Sequence, residues 1–317
     1  MIGDLAAYLV FFLVIALTYA LSCLGLNVQW GFTGLFNVGV AGFVAIGAYT
    51  SAILTSGQEA ERLGGFGWPI AIGWVAAMLA AGIAALGIGA VTLRLRHDYL
   101  AIATFGIAVT IQLLAMNLVT LTGGPFGIHG VPRPFAAVVT SPFGKNVVYL
   151  GVVVVIVGVI YMLLERLFRS PWGRALRALR EDEIAAVALG KSATAFRLQA
   201  FVIGAMVMGL AGAVYAHFVG FVAPEDFLSI LTFQVWTMLI VGGSGNNRGA
   251  IAGALLVWAL WSASGATLVA VLPQALQARG AALQTVLIGL VLALVLLLRP
   301  RGLFGETTVV SPHARVP

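Results

Sequence analysis

Charge is what this 317-residue chain has least of. Only 9% of its residues are Asp, Glu, Lys or Arg, against about 25% in ordinary soluble domains, and that excludes a soluble globular fold. Cysteine is nearly absent too: Cys23 stands alone, so an intramolecular disulfide and a multi-thiolate metal site are excluded, and in an apolar helix it reads as a small packing residue. The four histidines, His97, His129, His217 and His313, are scattered among loops and spans. No H-E-x-x-H or paired-acid constellation accompanies them, which leaves an intramembrane enzyme without its chemistry. No P-loop is present either. The segment Gly242 to Gly249, GGSGNNRG, is not followed by the Lys-Ser or Lys-Thr that a phosphate cradle requires, and it reads as a glycine-permitted tight turn. Acids are missing from the long apolar runs: all 11 fall in loops or at the ends of runs. Proton coupling, which usually needs an ionisable group at membrane depth, loses its usual carrier.

What is present is apolar. Hydrophobic residues make up 61% of the chain, and runs near the roughly 20 residues needed to cross a bilayer core lie at about Leu5 to Leu26, Val38 to Leu54, Pro69 to Leu93, Tyr99 to Leu121, Val147 to Leu164, Leu198 to Phe221, Phe227 to Val241, Ala250 to Leu272 and Leu283 to Leu298. The expected fold is an all-α polytopic membrane protein of about nine transmembrane helices, with eight or ten also defensible. Met1 to Asp4 has no basic n-region, so the first run reads as a retained helix. The stretch Asn27 to Asn37, NVQWGFTGLFN, is too polar and glycine-rich for a plain span. It is expected to be a broken or re-entrant element covered by protein or lining a cavity. Its Asn27, Gln29, Thr33 and Asn37, with Gln112 and Asn117 in a later span, are the candidates for a translocation path, since membrane amides seek partners or water; interhelical bonding is the competing reading. Thr104, His217 and Gln234 are further polar positions within spans.

A net charge of +6 would suit nucleic acid in a soluble chain, but in a membrane chain basic residues first report orientation. Arg94, Arg96, seven residues from Arg166 to Arg197, Arg248, Arg299, Arg301 and Arg315 fall on one side, 13 of the 17, leaving Arg62, Arg133, Lys145 and Arg279 on the other. The side with the majority, and with it the C-terminus, is expected to be cytoplasmic. Nine spans then put the N-terminus outside, and a re-entrant element that truly crosses would reverse that end alone. Stripes of small residues, Ala81, Ala85 and Gly89 in one span and Ala205, Gly209 and Ala213 in another, are expected to let helices approach closely, within the bundle or at a subunit interface. Thr122 to Ile128, TGGPFGI, is a turn-rich external loop, either a docking surface or a rigid connector.

Ser170 to Arg197 is the most charged interruption. Ser170-Pro171 is a helix start, and a second short helix is expected from Asp182 to Leu189, with acids on its first turn and Gly190 at its end. Its slim face, Ala185, Ala186 and Leu189, has nothing in its own loop to cover it and is expected to seek a groove on another protein.

Within that loop Glu183, Ala185, Ala186 and Gly190 spell E-x-A-A-x-x-x-G, which resembles the signature loop of ABC-importer permeases. In order along the chain, GFTGLFNVGVAGFVAIGAYTSAIL (31–54), LRLRHDYLAIATFG (93–106), LTGGPFGIHGVP (121–132), GRALRALREDEIAAVALG (173–190), VGGSGNNRGAIAGA (241–254) and RPRGLFG (299–305) together resemble the Liv-type permeases of bacterial and archaeal branched-chain amino-acid ABC importers, the LivM-like member more than its LivH-like partner. The resemblance departs from the common pattern at Val40, where many members carry histidine, and at Ile107 and Thr110, where many carry an acid and an arginine.

It implies a transmembrane permease domain over 1–304, with a coupling loop at 170–197, and a short polar tail over 305–317. It further implies a second, LivH-like permease subunit, two cytoplasmic ATPase subunits that hydrolyse ATP, a periplasmic substrate-binding protein, surrounding membrane lipid, a location in the bacterial or archaeal cytoplasmic membrane, and no catalytic residue, metal, cofactor or nucleic-acid site in this chain. A sodium-coupled secondary transporter, its ion held by carbonyls of the broken element, is the alternative.

Overall fold

The computed structural model describes residues 2–58, 63–95, 97–135, 139–271, 273, 280–299 and 302–305. Each apolar run is a helix there: α1 (Ile2–Leu26), α2 (Val40–Thr55), α3 (Ile70–Thr92), α4 (His97–Asn117), α6 (Pro142–Arg169), α9 (Ala193–Val219), α10 (Ser229–Gly242), α11 (Asn247–Val271) and α12 (Gly280–Leu298). The short helices α5 (Val119–Thr122), α7 (Pro171–Glu181) and α8 (Glu183–Ala188) lie in the connections. The chain is an all-α polytopic membrane protein. Its polar tail lies outside the described residues from 306 onward.

Six of these helices are long and apolar enough to cross a membrane. With 16 and 14 residues, α2 and α10 fall short of a hydrocarbon core about 30 Å thick at about 1.5 Å per residue. Irregular backbone precedes each of them: an unstructured stretch over 34–39 before α2 and a 3-10 turn, Pro224–Phe227, before α10. Residues 34–39 are buried or half-buried throughout, and Pro224 and Phe227 anchor the second segment in the protein, the condition under which membrane-depth backbone can leave the helix.

The connections define two faces. On the loop face lie α7, α8 and the 243–246 turn, and the chain's described C-terminal end joins them: Leu303 N–H donates to Val241 O at 2.9 Å and Asn246 Nδ2 to Phe304 O at 3.3 Å. The N-terminal part of α1 belongs to the far face, where Phe11 packs on Phe218 at the end of α9.

At the centre, α9 packs on α1, α2 and α3. The two small-residue stripes meet there. Ala81, Ala85, Ala205 and Ala213 are fully buried, and a Cβ on Gly209 would come within 2.6 Å of the Ala81 Cβ. Toward α2 there is even less room, because a side chain on Gly47 would overlap the Gly209 backbone. These stripes therefore serve packing within one chain, where small residues supply the close backbone approach that lipid cannot drive. Cys23 is buried with its Sγ 3.7 Å from Val235 O, a packing residue as expected.

The far face is tied by a two-stranded antiparallel pair, β1 (Ile128–His129) with β2 (Phe221–Val222). The buried His217 bridges the same region, with Nε2 2.8 Å from Ser51 Oγ and Nδ1 2.5 Å from Pro132 O. Thr122 to Ile128 is thereby anchored, while Phe126 at its tip is 81% exposed. Nearby, Asp226 accepts from Ala223 N–H at 3.0 Å and from the Tyr215 hydroxyl at 3.2 Å. Burial raises its carboxyl above the usual range.

Candidate functional site

The broken element begins where α1 loses its register in a π turn, Asn27–Gly31, and continues as irregular chain to Gly39. Its polar side chains are buried and bonded to this same chain. Asn27 Nδ2 donates to Asn247 Oδ1 at 3.0 Å, and Asn27 Oδ1 accepts from Gly245 N–H at 2.8 Å. Gln29 Nε2 donates to Phe201 O at 2.7 Å, and Gln29 Oε1 accepts from Asn37 Nδ2 at 2.6 Å. Asn37 Oδ1 holds Gly39 N–H at 2.7 Å, its carbonyl takes Trp236 Nε1–H at 3.0 Å, and the Thr33 hydroxyl donates to Gln29 O. Across the gap, Thr104 Oγ1 on α4 accepts from Val38 N–H at 3.0 Å. The network supplies partners for backbone groups that the helix break releases.

The residues interleaved with these face the other way. Trp30, Gly31, Gly34 and Phe36, with Asp98 of α4 and Arg180 of α7, wall a cleft of ≈ 500 Å³ on the loop face. Arg180 reaches it by donating to Gly31 O. Gly34, at φ 71°, makes the turn that a side chain would resist. None of these wall residues stood out from the sequence. The available signal was the spacing of Trp30, Gly34 and Phe36 between the amides.

Gln112 and Asn117 stand elsewhere, on α4 away from the broken element. Asn117 is exposed, with its Nδ2 donating to Leu113 O at 2.7 Å, and Gln112 is half-buried. Thr110 is also exposed on α4. The structure thus brings together Asn27, Gln29, Thr33 and Asn37, and leaves Gln112 and Asn117 apart.

In the charged loop, α7 buries Gly173, Leu176 and Leu179 and turns Arg174 outward. Asp182 then ends α7 and caps α8, accepting from Ala185 N–H at 3.0 Å. At the other end Gly190, at φ 79°, closes the helix through N–H bonds from Gly190 to Val187 O at 2.9 Å and from Lys191 to Ala186 O at 3.2 Å. Glu183 is held by Arg197 through two bonds of 3.0 and 2.9 Å. This parallel geometry fixes orientation as well as charge.

One expectation needs correction. Ala186 does not belong to an uncovered face: it is buried against Leu179, Ala193 and Phe196, because α7 and the start of α9 bracket α8 on that side. Ala185 is exposed, and the outward apolar residues are Ile184 at 85% exposure and Leu189 at 82%, with Val187 half-exposed beside them. Among the described residues, no group of three His, Cys, Asp or Glu side chains forms a metal site.

Residues 8–296 match the family described as the branched-chain amino acid transport system permease component. This chain belongs to that permease family. Among its relatives, LivM of Salmonella typhimurium, a high-affinity branched-chain amino acid transport system permease protein, is 36% identical over 75% of this chain and 59% of its own length. The probable LivM of Methanocaldococcus jannaschii is 26% identical over 93% and 92% of the two chains. LivH of Escherichia coli is 28% identical over 92% of each. The permease spans about three fifths of the length of its bacterial LivM relatives. No solved structure matches it.

Proposed function

We propose that this permease is one membrane subunit of an ABC importer for branched-chain or related amino acids, without catalysis of its own. A LivH-like second permease, two cytoplasmic ATPases that hydrolyse ATP and a periplasmic binding protein complete the assembly. The observation that carries the reading is α8: capped by Asp182, seated through Ala186 and clamped by Glu183 and Arg197, it holds two apolar side chains, Ile184 and Leu189, out from the loop face. A rigid helix offering apolar anchors in this way suits a groove on a partner. Movement of that partner would be transmitted through α7 and α9, the helices on which α8 sits. The basic residues, 13 of 17 on this side, support placing α8 and the C-terminus in the cytoplasm of a bacterial or archaeal cell.

For the path, Gln112 and Asn117 belong to the open surface of α4, which suits the boundary with a second permease. Asn27, Gln29, Thr33 and Asn37 contribute by fixing the broken segment whose other side chains wall the 500 Å³ cleft. Substrate chemistry is tested by uptake. Proteoliposomes holding this chain, its partner permease, the ATPases and the binding protein are expected to take up leucine with ATP inside and to keep doing so after ion gradients collapse. Guanosine, named for a Bacillus subtilis relative 28% identical to this chain, serves as the competing substrate. Leucine uptake that needs a sodium gradient and no ATPase would overturn the class, and guanosine uptake without leucine uptake would overturn the substrate.

A further inference from the structure

The loop face carries a second cleft, of ≈ 440 Å³, that the coupling role does not use. Four arginines line it: Arg169 at the end of α6, Arg174 and Arg177 on α7, and Arg248 at the start of α11. Among the described residues, one acid, Glu165, faces them. Its carboxylate is already engaged, taking Arg169 at 2.8 and 3.1 Å and Asn247 Nδ2 at 3.2 Å.

The remaining guanidiniums are braced by the chain rather than neutralised. Arg177 donates to Phe168 O at 3.2 Å, Arg174 to Arg169 O at 3.4 Å, and Arg248 Nε to the Tyr161 hydroxyl at 3.2 Å. Each spends one of a guanidinium's five donors, so most of the planar fork stays available to an anion. Among the described lining residues, four positive charges stand against one negative, an excess of three in one cleft.

The depth of the cleft identifies what fills it. Arg169 is the last residue of one membrane-length helix and Arg248 the second residue of another, which sets both at headgroup level. The indole of Trp172, half-buried next to the cleft and donating to Gln199 at 2.7 Å, is the amphipathic ring that favours this zone. Phe32 and Phe168, stacked with centroids 3.5 Å apart, also line the cleft. Arginines gathered where two membrane-length helices end, with the Trp172 indole beside them, match a phosphodiester held at the lipid headgroup level better than an anion free in solution.

We infer that this cleft is a binding site for the phosphate of an anionic glycerophospholipid. The juxtaposition of Arg169, Arg174, Arg177 and Arg248 in one cleft at the ends of α6 and α11 recognises it. Basic pockets between membrane helices are suited to such headgroups. Bound there, the lipid would bridge α6, α7 and α11 at the base of the coupling loop.

The test uses the full permease in detergent, with native mass spectrometry to read retained phosphatidylglycerol, phosphatidylcholine and inorganic phosphate. Arg174→Gln/Arg177→Gln is compared with Arg94→Gln/Arg166→Gln, a pair of exposed arginines outside the cleft. The apparent affinity for phosphatidylglycerol is expected to fall about thirtyfold in the cleft variant, the effect of removing two arginines at a membrane surface, and to be unchanged in the control. Arg248→Gln, on a different helix, is expected to show the same direction, which separates loss of the site from misfolding of α7. Equal losses in cleft and control variants, equal retention of phosphatidylcholine, or full competition by millimolar inorganic phosphate would each overturn the proposal. So would unchanged lipid retention with loss of ATPase co-purification, since the cleft would then take an acidic protein surface.

Discussion

Two polar interruptions stand out in an apolar chain, and the structure treats them in opposite ways. Residues 27–39 turn their amides inward, where Asn27, Gln29 and Asn37 spend their hydrogen bonds on α9, α10 and the 245–247 turn. Residues 182–190 satisfy their backbone locally, through the Asp182 cap and the Gly190 closure, and leave Ile184 and Leu189 in the open. Polarity alone therefore does not mark a working surface in a membrane protein. In the first region polar groups fill a structural debt left by the helix break; in the second they leave the apolar Ile184 and Leu189 exposed.

The largest effect separating the two is expected at Asn27. Asn27→Leu removes the partners of the buried Asn247 Oδ1, at about 1–3 kcal/mol, and of the half-buried Gly245 N–H, which water can reach at a lower cost. The melting temperature of the purified permease should drop with or without ATPases present. An unchanged melting temperature would show that the broken element needs no internal clamp.

Ala186→Trp comes next. Because Ala186 seats α8 on Leu179, Ala193 and Phe196, the indole should lever the helix off its own chain, an overpacking of about 1–3 kcal/mol. The bundle should remain folded while transport and ATPase co-purification are lost. Wild-type transport in this variant would remove α8 from the coupling role.

A smaller effect is expected from Gly190→Val. Nothing lies within 4 Å of a Cβ there, so the substitution acts through backbone alone, with about 1–2 kcal/mol of left-handed strain. It should loosen the end of α8 and reduce coupled hydrolysis, with little change in the bundle's melting. Full coupling would mean that the angle of α8 is set by Asp182 and Arg197.

The smallest effect belongs to the far face. Burial raises the Asp226 carboxyl, so the folded chain binds that proton more tightly than the unfolded chain. Its contribution is present below the ordinary carboxylate pKa and is lost as pH rises through the raised value. Asp226→Asn should flatten the pH dependence of melting over that window, and a dependence identical to wild type would assign the slope to another group.

Much of this was legible beforehand. Among the described residues, hydropathy marked nine runs that are helical, six of them of membrane-spanning length as hydrocarbon thickness requires, and the Ala81 and Gly209 stripes pack together because close approach demands small residues. The start at Ser170-Pro171 and the stop at Gly190 followed from local backbone chemistry. What stayed hidden was direction. A π turn followed by irregular chain follows neither the helical nor the strand period, so the spacing of Trp30, Gly34 and Phe36 between the amides did not by itself say which set faces inward and which faces the cleft. Ala186 was misplaced for a related reason: a helix of six residues has no stripe of its own, and its buried side is chosen by α7 and α9. The arginine cleft was visible only as a charge bias, because its members are 79 residues apart between Arg169 and Arg248.

The central claim, that the outward side of α8 is where a partner ATPase docks, is tested most directly by protection from labelling. In a Cys23→Ser background, Leu189→Cys and, on the far face, Phe126→Cys are exposed to a maleimide with and without bound ATPases in a complex that retains transport. The expected result is strong protection at position 189 and none at 126. Equal labelling of position 189 in the free permease and the working complex would contradict the account.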